Sequence, residues 1–206
     1  MPHEPNIEAF VFDLFGVLIS FDNDLVYRRL ARHCATPEDA FARLDGLMAA
    51  RDVITGKLSL PMIHAQLVET YGLTLSFSAF EHTWLEPYHE AMPGMAKLLE
   101  ALSAHYRLVL LSNVDQYYWK VVRAMQPELA CFDTLLVSCD LGLAKPDREI
   151  FQQAARAAGA APANCYFVDD TQLNVDAAAA LGFQTHRFRD AATLRQELAT
   201  ARILGV

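Results

Sequence analysis

Short apolar runs recur along this chain, and the segments between them repeat apolar residues every three or four positions. Runs of about four to eight apolar residues between turn-forming residues are typical of buried strands, and the longer repeat is typical of helices. We predict strands over residues 9–12, 107–111, 134–138, 165–168 and 184–188. The helical pattern occurs over residues 95–105, 116–126, 148–158 and 175–181. Because strands alternate with helices, we predict an α/β fold with a doubly wound, mostly parallel sheet.

The stretch between the first predicted strand and Pro93-Gly94 departs from this alternation, since it has only the helical pattern. Four segments carry it, over residues 24–34, 37–50, 59–71 and 76–88. Thr36 followed by Pro37 is typical of a helix N-cap and the first helical position. We therefore predict a small all-helical cap, residues 19–89, inserted after the first strand of a core domain formed by residues 1–18 and 90–206. A cap in this place excludes water and selects substrates.

The composition is that of a folded protein without a strongly anionic partner. Of the 206 residues, 53% are hydrophobic and 20% are charged, and the formal net charge is -8. This balance argues against nucleic acid and against an anionic membrane surface as partners. The four cysteines, Cys34, Cys131, Cys139 and Cys165, show no paired spacing, which favours reduced thiols in a cytoplasmic protein. The first residues lack the pattern of a secretory signal, and the oligomeric state is left open.

Polar residues suited to chemistry follow the predicted strands. Asp13 comes directly after the first strand and precedes a glycine-bearing turn. Three later positions of the same kind carry Ser112-Asn113, Lys145-Pro146 and Asp169-Asp170. In an open α/β sheet, ligands bind at the carboxyl ends of the strands. We therefore predict that these residues contribute to one site.

These four motifs, in this order, resemble those of the haloacid dehalogenase-like hydrolase superfamily. The resemblance covers nearly the whole chain, because the first motif opens it and the fourth lies near its end. Residues 141–146 and 168–174 look most like the α-glucose-1-phosphate phosphatase type of the capped subfamily. The resemblance implies a Rossmann-like core and an enzyme that hydrolyses a phosphate monoester of a small metabolite, such as a sugar phosphate.

Asp13 is the candidate catalytic nucleophile, since a carboxylate can attack phosphorus and form an aspartyl-phosphate. The adjacent acids Asp169 and Asp170 repel each other, and Mg²⁺ would offset this because it prefers oxygen ligands. The superfamily pattern implies that Mg²⁺ is held by Asp13, the main-chain oxygen of Phe15, and Asp170. Asp169 would be a further metal ligand or would support the others from behind. Mg²⁺ is thus the predicted cofactor.

Lys145 resembles the lysine of the third motif, which offsets the charge of the carboxylates and of the phosphate. Ser112 and Asn113 resemble the second motif, in which the Ser hydroxyl and nearby main-chain N–H groups hold the phosphoryl oxygens. Lys145 and Ser112 are therefore predicted to be catalytic and, with Asn113, to bind phosphate. Arg51 lies in a cap segment that could reach down over the site, and it is a further phosphate-binding candidate. The other cap residues of interest are His64, Trp84, Tyr88 and His89.

Phe15 departs from the superfamily pattern, because many of its phosphatases have a second Asp at this position. That Asp protonates the leaving oxygen and then activates water, and Phe15 can do neither. The α-glucose-1-phosphate phosphatase type also lacks this acid. A phosphatase with Phe15 would act on esters with good leaving groups, or would use Asp115, Asp22 or His89 as its acid and base.

Two other hypotheses stay open beside the phosphatase. An aromatic residue at position 15 resembles the 2-haloacid dehalogenases, in which Asp attacks carbon and halide leaves without a proton. Those enzymes need no metal and typically replace the acidic pair, which this chain keeps. The third hypothesis is a non-catalytic protein that retains the fold for binding. The intact acidic pair favours the phosphatase among the three.

Overall fold

Five parallel strands form the central layer of the computed structural model, which describes residues 6–86 and 90–204. In chain order they are β1 Ala9–Phe12, β2 Arg107–Ser112, β3 Thr134–Val137, β4 Cys165–Asp169 and β5 Gln184–Arg187. Across the sheet their order is β3-β2-β1-β4-β5, and each neighbouring pair is parallel. The predicted α/β fold with a doubly wound sheet is confirmed, and the sheet is wholly parallel over the described residues.

Helices connect the strands and cover both faces of the sheet. Those in the described part of the chain are α1 Asn23–Ala31, α2 Pro37–Leu44, α3 Arg51–Ile54, α4 Leu60–Tyr71, α5 Phe77–Leu85, α6 Met95–Ser103, α7 Gln116–Met125, α8 Ser138–Leu141, α9 Arg148–Ala158, α10 Gln172–Ala179 and α11 Ala191–Thr200. Short 3₁₀ segments lie at Pro127–Cys131 and Pro162–Asn164. None of these helices combines the length and the apolar composition needed to cross a membrane.

Some predicted bounds differ from those of the structure. The helix predicted over residues 37–50 ends at Leu44, and Gly46 follows with a φ of 72°. This left-handed conformation cannot continue a right-handed helix. A separate short helix, α3, then begins at Arg51. The strand predicted over residues 134–138 ends at Val137, because Ser138 already begins α8. Neither α8 nor α11 is among the predicted helices.

The strands direct alternate side chains to two faces of the sheet. Phe10 and Leu110 pack in the layer that contains α6, α7 and α11. Val11 and Phe167 pack in the opposite layer, with α9 and α10. All four side chains are fully buried, as expected for a parallel sheet that is covered on both faces. This burial holds the strands, and with them the strand ends, in fixed positions.

Helices α1–α5 form a separate hydrophobic cluster, which we call the helical insert. Leu44, Phe80 and Trp84 are fully buried within it. The chain enters and leaves the insert through adjacent segments, where the main-chain N–H of Ser20 donates a 2.8 Å hydrogen bond to the carbonyl of Glu90. Residues 87–89 lie outside the described part of the chain. The division into a core domain (1–18 and 90–206) and a cap domain (19–89) stays a prediction.

Candidate active site

The order of the strands creates a crevice at the carboxyl end of β1. After β1 the chain fills one side of the sheet with β2 and β3, and then the other side with β4 and β5. Such a reversal leaves an open crevice outside the strand ends, where ligands bind in α/β sheets. Asp13 directly follows β1, and Asp169 is the last residue of β4. The fold therefore brings two predicted site residues, distant in sequence, to one edge of the sheet.

Three carboxylates meet in this crevice. Asp13, Asp169 and Asp170 each offer an oxygen within 4.8 Å of the others. Asp13 and Asp169 are buried, whereas Asp170 is partly exposed. Oδ1 of Asp13 accepts a 2.7 Å hydrogen bond from the main-chain N–H of Leu14. The three carboxylates among the predicted metal ligands thus lie close together, and all of them offer oxygen donors.

Lys145 connects two of these carboxylates. Its ammonium lies 2.7 Å from Oδ1 of Asp13 and 2.7 Å from Oδ2 of Asp169, and it is almost completely buried. Asn174 Nδ2 donates to both oxygens of Asp169 at 3.1 Å. The main-chain N–H of Thr171 donates to Asp169 Oδ1 at 2.9 Å. Asp169 is therefore held in place from several directions, and it positions Lys145 for its contact with Asp13.

The pKa values reflect the crowding of charge. Burial raises the pKa of the Asp13 carboxyl well above its usual range, although the Lys145 ammonium opposes this. Burial also raises the pKa of Asp170, and the negative charge of Asp169 adds to the effect. Burial acts to lower the pKa of Lys145, but the charges of Asp13 and Asp169 outweigh it, so that this pKa is raised. One ammonium does not balance three carboxylates, so the site favours a bound cation.

Gly16 allows the turn after β1 to approach Asp170 closely. Its φ is 77°, a conformation that side chains disfavour. A Cβ at this position would lie 2.5 Å from Oδ2 of Asp170. The main-chain N–H of Gly16 also donates a 2.8 Å hydrogen bond to the carbonyl of Ile19. The sequence indicates a glycine-bearing turn here, but it does not show that the glycine makes room for a carboxylate of the fourth motif.

The second motif lies beside the acidic cluster. Ser112 ends β2 and is fully buried, and its Oγ has no hydrogen-bond partner among the described residues. Asn113 bonds the main chain of Lys145 in both directions, since Nδ2 donates to the carbonyl and Oδ1 accepts from the N–H, each at 2.9 Å. The Asn113 side chain therefore fixes the loop that carries Lys145. Its predicted contact with phosphate stays a prediction, as does that of Ser112.

A cavity of about 320 Å³ opens over Asp13, Lys145 and Asp170. Its apolar wall comes from both the sheet edge and the helical insert, and it consists of Phe15, Phe21, Met48, Ala49, Ile54, Val114, Tyr118, Pro146 and Leu173. The remaining polar wall consists of Asn23, Asn113, Asp115, Thr171 and Asn174. Phe21 and Leu173 are large apolar residues with exposed fractions of 44% and 62%. The sequence alone does not reveal this apolar wall, because its residues come from segments that are far apart in the chain.

Two of the candidate acid–base residues, Asp115 and Asp22, lie in the described part of the chain, and Asp115 lies in the cavity wall. Burial raises its pKa, while the main-chain N–H groups of Tyr118 and Tyr117 and the nearby indole of Trp84 act to lower it. Asp22 does not line this cavity, and its side chain caps α1 by accepting from the N–H of Leu25.

The remaining residues predicted from the cap lie elsewhere. Arg51 does not line the cavity, and its guanidinium pairs with Asp147 of the core. The geometry thus gives Arg51 a contact between the insert and the core, and its predicted role in phosphate binding receives no support. His64 contacts the carbonyl of Leu75 at 2.9 Å within the insert, and Trp84 is buried there. Tyr88 and His89 lie outside the described residues.

A family model described as haloacid dehalogenase-like hydrolase matches residues 7–182. The chain belongs to the haloacid dehalogenase-like hydrolase family. The resemblance predicted from the four motifs is confirmed at the level of the family, and the chain is a hydrolase of that family. The α-glucose-1-phosphate phosphatase subtype stays a prediction.

Several members of the haloacid dehalogenase-like family are similar to this chain over nearly its full length. A D-ribitol-5-phosphate phosphatase from Bacteroides thetaiotaomicron is 29% identical over 203 residues, which cover 93% of this chain and 97% of the relative. A family enzyme from Bacteroides thetaiotaomicron, solved with magnesium and inorganic phosphate, shares the fold with a TM-score of 0.77 at 24% identity, covering 91% of this chain and 98% of the other. A HAD-like hydrolase structure from Porphyromonas gingivalis has a TM-score of 0.77 at 26% identity, covering 94% and 98%.

Proposed function

We propose that this protein is a Mg²⁺-dependent phosphate monoester hydrolase that acts through an aspartyl-phosphate on Asp13. The observation that carries the proposal is the buried ammonium of Lys145, which contacts both Asp13 and Asp169 beside the third carboxylate, Asp170. Family membership supports hydrolysis, and the similarity to a D-ribitol-5-phosphate phosphatase supports a small sugar or polyol phosphate as the substrate.

The donor set of the crevice fits Mg²⁺. We propose that Asp13, Asp170 and the main-chain oxygen of Phe15 are its ligands, with Asp169 as a further ligand or as a support behind them. Mg²⁺ is a hard cation that needs only one or two carboxylates together with phosphate oxygens and waters. Gly16 fits this role, because its missing side chain leaves Asp170 close to the turn that carries the Phe15 carbonyl. When bound, the ion would neutralise the carboxylates and the phosphate oxygens that they face.

The residues of this chain would perform a two-step displacement. Asp13 would attack phosphorus, the bond from phosphorus to the leaving oxygen would break, and an aspartyl-phosphate would form while the leaving oxygen takes up a proton from water. Water then attacks this phosphate, so that inorganic phosphate leaves and the Asp13 carboxylate is restored. Lys145 favours the ionised form of Asp13 and balances charge on the phosphoryl group. The hydroxyl of Ser112, buried and without a partner among the described residues, would donate to a phosphoryl oxygen.

The helical insert would serve as a cap over this chemistry. Phe21 before α1, Met48 between α2 and α3, and Ile54 of α3 line the same cavity as Asp13 and Asp170. Contacts between the insert and the core include the Arg51 pair with Asp147 and the hydroxyl of Ser138, which donates a 2.6 Å hydrogen bond to the carbonyl of Ile54. An apolar wall of this kind excludes water from the aspartyl-phosphate while the leaving group departs.

Dehalogenation is less well supported by the geometry. A 2-haloacid carries a carboxylate that must be bound near the nucleophile. Among the described residues that line the cavity, Lys145 is the cation, and its ammonium already contacts Asp13 and Asp169. The carboxylate of a haloacid, added beside three carboxylates, would be strongly unfavourable without a metal.

Hydrolysis of a panel of phosphate monoesters by metal-free protein, before and after addition of Mg²⁺, tests the proposed function. The Asp13→Asn variant is the matched control, since it keeps the volume of the side chain and removes the nucleophile. Activity that requires both Mg²⁺ and Asp13 is the expected result. Release of halide from 2-chloropropionate without metal would instead show a dehalogenase. Neither activity, in protein shown to be folded by circular dichroism, would support the non-catalytic binding protein.

A further inference from the structure

Asp115 occupies a position in the cavity wall that the proposed reaction does not use. It is buried, and it precedes α7, where its Oδ1 accepts hydrogen bonds from the N–H groups of Tyr117 at 2.8 Å and Tyr118 at 3.0 Å. Both bonds use the same oxygen, and the residue lines the cavity. It does not belong to the group of three carboxylates that could hold a metal. The wall therefore contains an anchored carboxyl group outside the proposed metal site.

The negative charge of Asp115 is not balanced by a cation in the described lining of the cavity. Lys145 is the only cationic residue among the described residues that line the cavity, and two carboxylates already share its ammonium. Asp13 and Asp170 would be balanced by Mg²⁺ and by Lys145, but Asp115 faces no cation in this lining. An anionic group on the substrate, other than the phosphate that reacts, would meet the Asp115 carboxylate in a site of low dielectric constant.

The indole of Trp84 lies near the carboxyl group of Asp115. Trp84 belongs to α5 of the helical insert, and its Nε1 is buried without a partner that meets hydrogen-bond geometry among the described residues. It nevertheless lies near enough to Asp115 to affect that carboxyl group. The two hydrogen bonds at the start of α7 hold Asp115, and a carboxylate held in this way accepts hydrogen bonds from ligand hydroxyls in a fixed direction.

We propose that Asp115 is a specificity-determining residue that selects esters with an uncharged, hydroxyl-bearing leaving group and rejects those whose leaving group carries a second anion. This inference rests on the proposed phosphatase function and deepens it. Hydroxyl groups would donate to Asp115, while the carbon faces of the same leaving group would pack on Phe15 and Tyr118. A site built to bind a hydroxyl discriminates strongly, because an unsuitable group leaves a buried polar atom unpaired or in repulsion.

The test compares two esters that differ only at the far end of the leaving group, ribitol 5-phosphate and 5-phosphoribonate. The first ends in a hydroxymethyl group and the second in a carboxylate. Asp115→Asn is the variant of choice, since Asn also caps helices well and the change removes the charge with little effect on volume. Asp190→Asn is the matched control, because Asp190 caps α11 through the N–H of Thr193 and does not line the cavity.

We expect the wild type to have the higher kcat/KM on ribitol 5-phosphate. In Asp115→Asn, the ratio of the two kcat/KM values should move toward 5-phosphoribonate by about 10- to 100-fold, the range for removal of one like charge roughly 6–12 Å away at an effective dielectric constant of about 20. Asp190→Asn should leave the ratio unchanged. Calorimetry gives a second readout that does not require turnover. The affinities for the two esters are measured in Asp13→Asn and in the double variant Asp13→Asn/Asp115→Asn. The ratio of these affinities should move toward 5-phosphoribonate in the double variant, as the ratio of kcat/KM does.

Two results would overturn this inference. One is an unchanged ratio in both kinetics and calorimetry. The other is an equal loss of kcat on both esters, which would show a general role for Asp115 in catalysis or in positioning. Failure of the proposed function is a separate observation, because the calorimetric comparison does not need hydrolysis. Esters that bind with the expected change in ratio but are never hydrolysed by the wild type would contradict the phosphatase and leave the role of Asp115 supported.

Discussion

Replacement of Gly16 by alanine should change Mg²⁺ affinity much more than it changes the stability of the fold. In the structure, a Cβ on this residue would lie 2.5 Å from Oδ2 and 2.6 Å from Cγ of Asp170. Contacts this short cannot persist, so the Asp170 side chain must move. Asp170 is partly exposed and can turn toward solvent. Gly16→Ala should therefore displace a proposed Mg²⁺ ligand without disrupting the buried strands.

The size of each effect follows from the same geometry. The φ of 77° at Gly16 places alanine in the left-handed region, which costs about 1–2 kcal/mol. For a chain of this length, such a loss lowers Tm by about 2–8 °C. Loss of the contacts that orient a metal ligand typically weakens metal binding by about 10- to 100-fold, and we expect at least this effect when Asp170 itself is displaced. Stability should thus fall slightly and Mg²⁺ affinity strongly.

Gly182→Ala is the matched control, because its φ is 91° and nothing lies within 4 Å of the place that a Cβ would occupy there. It should show the loss of stability without the loss of affinity. Thermal denaturation of the metal-free proteins and calorimetric titration with Mg²⁺ measure the two quantities. Wild-type Mg²⁺ affinity in Gly16→Ala would refute the assignment of Asp170 as a ligand. An equal loss of affinity in Gly182→Ala would refute the reasoning from the close approach.

The remaining predictions concern the nucleophile, the metal and the leaving group. Asp13→Asn should lower kcat by several orders of magnitude with an unchanged circular dichroism spectrum, and near-normal activity would remove Asp13 from the mechanism. Asp170→Ala should weaken Mg²⁺ binding and raise the Tm of the metal-free protein, since it relieves repulsion with Asp169; calorimetry and thermal denaturation will show whether both changes occur. Phe15 cannot donate a proton, so the contribution of about 10²–10⁴-fold from general acid catalysis is missing. Wild-type rates should therefore depend steeply on leaving-group pKa across aryl, anomeric sugar and alkyl phosphates, and Phe15→Asp should flatten that dependence. If chemistry is rate-limiting and the wild-type rate does not vary with the leaving group, another residue donates the proton.

Much of the fold could be predicted from the sequence, because its signals are local. A strand such as β1 is a short apolar run, and the polar residue that ends it marks the edge of the sheet. Asp13 and Asp169 could be assigned to one site for this reason, since parallel strands end at the same edge. Bounds were predicted less well where a single turn interrupts a long periodic stretch, as at Gly46.

The cavity could not be predicted in the same way, because its walls join segments that are far apart in the chain. The pair of Arg51 with Asp147 spans 96 positions, and the hydrogen bond of Ser138 to Ile54 spans 84. Periodicity records which side of an element is buried, but it does not record which distant element covers it. The sequence alone therefore does not show that Arg51 pairs with Asp147 of the core, and its predicted contact with phosphate stays a prediction.

The sequence by itself determined the order of the strands along the chain, the chemistry at their ends and the presence of helices between β1 and β2. Only the tertiary structure decided that Asn113 holds the Lys145 loop, that Gly16 makes room for Asp170, and that Asp115 faces the cavity. The physical reason is that residue type and spacing set local conformation and burial. The distances between charged groups depend on how whole layers pack, and these distances decide which groups can act together.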